Sequence, residues 1–256
     1  MLPTVTITRL EKAASDNGFD LERAPDGDWL TFCSSQTSMR IWLTSVGESL
    51  FLVALSRANV LDALVGLGVA FTRPLPNGAA GARSVGDIQA LHHLLRRTFQ
   101  LARTLPDELL HVFESQTARL PRSTEAERLV VQRVGQNIFR RGLLEYWDGC
   151  CAITGLSVPD LLRASHIKPW ADCASDKERL DIFNGFLLAP NLDAVFDAGF
   201  MSVAEDGSVL LSDALPADAR AILGLELPLK VCGLHHAHEP YLLWHRARVF
   251  RKTRWV

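Results

Sequence analysis

Apolar residues recur with helical spacing in three long stretches of this 256-residue chain and gather into short strand-like runs between them. Ile7, Leu10, Ala13 and Ala14 share one side of a helix over residues 4–17, with Thr6 or Thr8 as its cap and Gly18 as its stop. Residues 87–104 place Ile88, Leu91, Leu94, Leu95 and Phe99 on one face, behind Ser84 or Asp87 as cap. Thr124 and Glu127 form a capping box for residues 125–146, which read as one helix, or as two divided at Gly135 or Gly142. Residues 29–32, 39–44 and 50–54, separated by turn-formers, predict a small antiparallel sheet. Residues 59–65 read as a short helix and the Pro/Gly/Ala-rich residues 74–86 as a loop.

The C-terminal half has a different rhythm. Residues 161–167 predict a strand that ends on His166, residues 168–184 a long polar connection, residues 185–189 a short apolar strand and residues 191–198 a two-turn helix. Pro190 precedes that helix, Asn191 is placed to cap it, and Gly199 to end it in a left-handed turn. Residues 241–250 alternate like a closing strand. The polar segment 116–124, with its proline at 121, is the best linker. The expected class is therefore α+β in two domains, residues 1–120 and residues 121–256.

Composition narrows the function classes. No apolar run approaches the roughly 18 residues of a membrane span, and no secretion-signal pattern opens the chain, so a cytoplasmic protein is expected. Five cysteines without a C-x-x-C pair point to reduced thiols rather than a disulfide framework, and Cys150 and Cys151 read as core thiols. Basic and acidic side chains number 11 against 12 in residues 1–121 and 16 against 17 in residues 122–256. Any nucleic-acid contact must then be local. The best segment for it carries Arg246, Arg248, Arg251, Lys252 and Arg254 without an acid; an ordinary solvated strand end stays open as the alternative.

The candidate chemistry lies between Cys151 and Gly199. Asp193 and Asp197, four residues apart on one helix, share a face and form a hard-oxygen half-site suited to Mg2+ or Mn2+. Each also has a plain structural role open to it, Asp193 at the positive end of the helix and Asp197 in water. His166 brings an imidazole able to take a proton at neutral pH. Elsewhere, His92-His93 are adjacent helical residues that cannot converge on one ion, and His235, His236, His238, Glu239 and His245 lack the spacing of a helical zinc site.

With C-A-I-T-G at 151–155, A-S-H-I-K-P-W at 164–170, N-G at 184–185 and D-x-x-x-D at 193–197, the segment resembles the HNH endonuclease superfamily, the ββα-metal nucleases, and in particular its restriction-endonuclease-like branch. The lead-in through Arg133, Gln136, Phe139-Arg140 and Leu143-Leu144 is similar to that branch as well. The resemblance implies His166 as general base, Asn184 as the residue that holds the connecting loop and orients the histidine, and Asp193 and Asp197 as ligands of one Mg2+ or Mn2+. Lys168 and Arg179 of the long loop join Arg246, Arg248, Arg251 and Lys252 as candidate DNA contacts. There is one departure: Ser165 stands where many members carry an acidic or histidine ligand.

Two readings follow. The first is a metal-dependent DNA endonuclease in restriction or phage defence, with a homodimer expected for a double-strand cut, whose N-terminal domain selects a sequence, a modified base or a small signal ligand. The second is a catalytically inactive or signal-gated DNA-binding protein on the same fold. No membrane partner is expected.

Overall fold

A computed structural model describes residues 2–251 apart from 48, 65, 73, 122 and 227. The chain divides into two compact units, residues 1–105 and 106–256. Residues 106–120, grouped by sequence with the N-terminal half, thus belong to the second unit, because helix α4 (Pro106–Thr117) packs along helix α5 (Glu125–Tyr146).

The first unit runs α1 (Thr4–Asp16), β1 (Leu21–Asp26), β2 (Trp29–Cys33), β3 (Arg40–Val46), β4 (Leu50–Leu55), α2 (Ala58–Ala63), β5 (Val69–Phe71), β6 (Gly81–Val85) and α3 (Ile88–Thr104). Its antiparallel sheet has the order β1-β2-β3-β4-β6-β5. Both faces of the centre are covered, which explains the unbroken apolar run of β4. Ile41, Leu43, Val53 and Leu55 are fully buried with Leu10 of α1 and Leu91 and Leu95 of α3. On the other face Trp42, Ala54 and Ala82 pack with Trp29, Phe71, Leu75 and Ala79.

Two expectations for this unit are corrected and one pair of alternatives is resolved. The end of the stretch read as a loop, residues 74–86, supplies β6, an inner strand; Gly81 is tolerated there because a Cβ would lie 2.2 Å from Leu61 Cδ2 of α2. The first helix takes Pro3 as N-cap with no side-chain cap, so neither Thr6 nor Thr8 serves. Asp87, not Ser84, caps α3, accepting from the Ala90 amide at 2.7 Å.

In the second unit α5 is one continuous helix of 22 residues behind the expected capping box. Its glycines do not break it. They let neighbours come close: a Cβ on Gly135 would lie 2.5 Å from the Trp170 ring, and one on Gly142 2.6 Å from Leu109. There follow β7 (Arg163–His166), α6 (Asp176–Arg179), β8 (Gly185–Leu188), α7 (Pro190–Asp197), β9 (Met201–Val203), β10 (Val209–Leu211), α8 (Ala217–Ile222) and α9 (Glu239–Arg248). The last element overturns the closing strand expected at 241–250. Pro240 starts a helix well, Glu239 and the basic last turn suit the helix dipole, and Leu242 and His245 bury one face. No helix among the described residues is long and apolar enough to cross a membrane.

Candidate active site

A β-hairpin and a helix build the site. β7 pairs antiparallel with β8, setting Ser165 opposite Phe186 and His166 opposite Gly185. α7 follows β8 directly. Its N-cap is Ala189 with Pro190 in the first turn, and Asn191, expected as the cap, instead donates to the Leu223 carbonyl at 3.0 Å. Gly199 ends α7 with φ +74°, and a Cβ there would come within 2.2 Å of the Val249 carbonyl, so the same glycine lets the segment after α9 lie against the end of α7. Arg140 of α5 holds the entry to β7 by donating to the carbonyls of Leu162 and Pro159 at 2.6 and 2.9 Å.

His166 is held by contacts on several sides. Its Nε2 lies 2.9 Å from the Arg179 carbonyl. A carbonyl only accepts, so Nε2 carries the proton and Nδ1 keeps its lone pair. The ring stacks on Phe139 with centroids 3.8 Å apart and meets the Trp170 edge at 5.6 Å. Gly185 makes the stack possible, since a Cβ there would sit 2.4 Å from the Phe139 ring. Burial pushes the imidazole down to about 4, against the opposing pull of the Arg179 carbonyl. His166 is therefore neutral at physiological pH.

Asn184 is fully buried, and its side-chain hydrogen bonds go to the loop and not to His166. Its side-chain oxygen accepts from the Lys168 amide at 2.8 Å, and its amide nitrogen donates to the carbonyls of Lys168 and Glu178, both at 3.2 Å, and to Cys173 Sγ at 3.3 Å. It therefore ties both ends of the loop that presents the Arg179 carbonyl. Asp181, one turn earlier, accepts from the Phe183 amide and from the Tyr241 hydroxyl at 2.9 and 2.8 Å, and burial raises its carboxyl to about 6.

His166 and Asp197 line one cleft of about 380 Å³, together with Ala164, Trp170, His245 and Val249. Ser165 donates to Asp197 Oδ1 at 3.3 Å. Desolvation and then the charge of Asp193 raise the Asp197 carboxyl above its usual range, while the Ser165 bond lowers it. Among the described residues neither aspartate is ion-paired, and no three His, Cys, Asp or Glu side chains converge on a common point. Asp193, four residues before Asp197 on α7, is not among the residues that line the cleft; the oxygen groups on offer near His166 are the two α7 carboxylates and the Ser165 hydroxyl. That set fits a hard divalent cation that keeps water and takes phosphate oxygens, and it does not fit zinc.

The candidate DNA contacts divide. Lys168 pairs with Glu178 at 2.7 Å. Arg179 braces its own loop through Asp176, the Trp170 carbonyl and the Cys173 carbonyl at 2.9, 3.2 and 2.8 Å. Arg246 donates to the Val203 carbonyl at 2.7 Å and pairs with Glu239. Arg248 and Arg251 are exposed and flank Val249, which lines the cleft; Arg251 also lies over Phe200 at 4.4 Å. Lys252 and Arg254 lie outside the described residues.

Sequence reasoning quoted Trp170 and Phe139 within motifs but gave neither a role; their signal was an aromatic four residues after His166 and another in the lead-in. Cys151 is the buried thiol expected of it, and its sulfur also accepts from the amides of Thr154 and Ala189 at 3.4 and 3.3 Å, which ties the 151–155 turn to the start of α7. All five cysteines are free.

A family model described as HNH endonuclease matches residues 151–204, the span from this turn through β9 that holds His166, Asn184, Asp193 and Asp197. No curated protein matches the chain.

Proposed function

From the HNH endonuclease domain carried by the C-terminal half, we propose that this protein is a divalent-metal-dependent DNA endonuclease with His166 as its general base. The observation that carries this reading is the state of His166: neutral, pinned at Nε2 by the Arg179 carbonyl, and beside Asp197 in one cleft.

In the reaction His166 Nδ1 takes a proton from water as the water oxygen bonds to phosphorus and the bond to the 3′ oxygen breaks. The protonated ring keeps its Nε2–H bond to the Arg179 carbonyl, so the charge forms on an imidazole that does not turn. Asn184 acts through this loop as a positioning residue. Asp193 and Asp197 would hold one Mg2+ or Mn2+, with Ser165 orienting Asp197; when bound, the ion would supply charge stabilisation to the phosphate and the departing oxygen. Arg248 and Arg251 supply backbone phosphate contacts, which adds a salt-dependent and sequence-independent share of affinity. Lys168, Arg179 and Arg246 shape the surface that carries those contacts.

A role in restriction or phage defence, with residues 1–105 choosing sequence, modification or signal, fits a nuclease domain joined to a second compact unit. A double-strand cut by one-metal sites calls for a homodimer. The competing reading, an inactive or signal-gated DNA-binding protein, draws on Ser165 and on the small donor set.

The test is incubation of purified protein with methylated and unmethylated plasmid in Mg2+, Mn2+ or EDTA, beside His166→Ala. Metal-dependent cutting lost in the variant is expected. Cutting that survives in a folded His166→Ala protein removes His166 from its role, and no cutting of any substrate favours the competing reading.

A further inference from the structure

A second cavity of about 340 Å³ shares a wall with the catalytic cleft, and that wall is Trp170. Phe113 of α4, Arg128 and Gln132 of α5, and Trp170, Asp176 and Arg179 of the catalytic loop line it. The volume is within the small-molecule range of roughly 300–1,000 Å³.

Its open chemistry is specific. Arg179 and Asp176 neutralise each other at 2.9 Å, which leaves Arg128 as the uncompensated charge. Among the described residues Arg128 makes no ion pair, and the Gln132 carboxamide has no hydrogen-bond partner. The cavity therefore offers the Trp170 indole, an apolar floor of buried Phe113 and Val131, one free carboxamide and one free guanidinium. A purely apolar ligand would leave Arg128 and Gln132 unused, and a small aliphatic acid would leave the indole unused. A nucleotide uses all of them: a flat base against Trp170, its polar edge on Gln132, and a phosphate on Arg128. Gly135 supports the arrangement by letting the Trp170 ring seat against α5.

We propose that this cavity is a nucleotide-binding subsite. Its ligand sits across one indole from His166, whose ring lies 5.6 Å from that of Trp170. The same chemistry has two sources, a nucleotide of the DNA strand next to the cleaved phosphate or a free nucleotide that acts on the catalytic loop. The proposal rests on the nuclease reading for its substrate class, but its binding test does not require cleavage.

Full-length protein in EDTA would be titrated with each of the four deoxynucleoside 5′-monophosphates and with short single-stranded and duplex DNA. The titrations are repeated on Arg128→Ala/Gln132→Ala and on Arg133→Ala, an exposed arginine of α5 outside the cavity. Affinity roughly tenfold weaker in the double variant, with Arg133→Ala near wild type, is expected. Loss of monophosphate binding assigns the site to a free nucleotide, and loss confined to oligonucleotides assigns it to the DNA strand. Binding of every probe within twofold of wild type in the double variant, or an equal loss in Arg133→Ala, overturns the subsite. Metal-dependent cutting judges the nuclease separately: cutting with unaltered binding removes the subsite alone, and a variant-sensitive nucleotide site in a protein that never cuts removes the nuclease alone.

Discussion

His166 in the hairpin cleft and His238 beside α9 look alike by most measures. Each stacks on a phenylalanine, Phe139 at 3.8 Å and Phe186 at 5.5 Å, and burial lowers each imidazole to about 4. The surroundings separate them. Each has one nitrogen bonded to a backbone carbonyl at 2.9 Å, His166 Nε2 to Arg179 and His238 Nδ1 to His235, but His166 opens onto a cleft with a carboxylate, whereas His238 is fully buried among Tyr146, Trp147, Phe183 and Phe186. His245, stacked on Phe196 at 4.1 Å and bonded to Ser202 at 3.0 Å, lies between these cases, for it is buried and yet borders the cleft. A depressed pKa is thus common to the proposed base and to core histidines here; access to the cleft tells them apart.

The sharpest break of this comparison is a pair of variants. His166→Ala is expected to lower cleavage by about 10² to 10⁴ with the fold kept, while His238→Phe is expected to change stability and leave the rate per folded molecule near wild type. Plasmid nicking normalised to the folded fraction from circular dichroism decides it; equal rate losses in both would erase the distinction.

Asn184→Ala is expected next, because it strands the Lys168 amide and releases both ends of the loop. We expect a loss of about 2–4 kcal/mol in urea melts and a fall of about 10² in cleavage rate through misplacement of His166. Gly185→Ala pushes Phe139 off the His166 ring and should cost about 1–3 kcal/mol; a co-substitution of Phe139 with leucine that restores stability but not rate would show that the stack orients the base.

Acid should affect stability before it affects the base. His166, His238 and His245 stay neutral in the fold to about 4, while in the unfolded chain they take protons from 6.5 downward. Their contribution is complete above pH 6.5 and is lost progressively as pH falls toward 4. Asp181 acts in the opposite sense, keeping its proton to about 6 against 3.8 when unfolded, so it costs stability as pH rises through that window. Asp197, raised as well, acts in the same sense as Asp181, and three histidines against two carboxyls predict urea midpoints that drop on acidification below 6.5; a flat profile would show that these histidines are hydrated. The smallest effect is that of Ser165→Ala, which removes a bond that lowers the Asp197 carboxyl, costs about 1 kcal/mol or less, and should move the acid limb of metal-dependent cutting to higher pH.

Much of this was legible in the chain because it is local. The capping box at Thr124 and Glu127, the strand that ends on His166 and the helix with Asp193 and Asp197 all depend on spacing within a few residues. The failures have non-local causes. Gly81–Val85 becomes an inner strand because β4 and β5 flank it and α2 needs the space at Gly81, and α9 forms where alternation suggested a strand because its buried side is set by packing.

The sequence by itself determined the types of group available for chemistry, one imidazole, one carboxamide and two carboxylates at fixed separations, since covalent order and helical period require nothing more. Only the tertiary structure decided which nitrogen of His166 is free, that Asn184 bonds to the loop rather than to His166, that Lys168 and Arg179 spend their charge inside that loop, and that Trp170 stands between two cavities. Each of these depends on hydrogen bonds and contacts between segments that the fold brings together, and such pairings leave no period in the chain from which to read them.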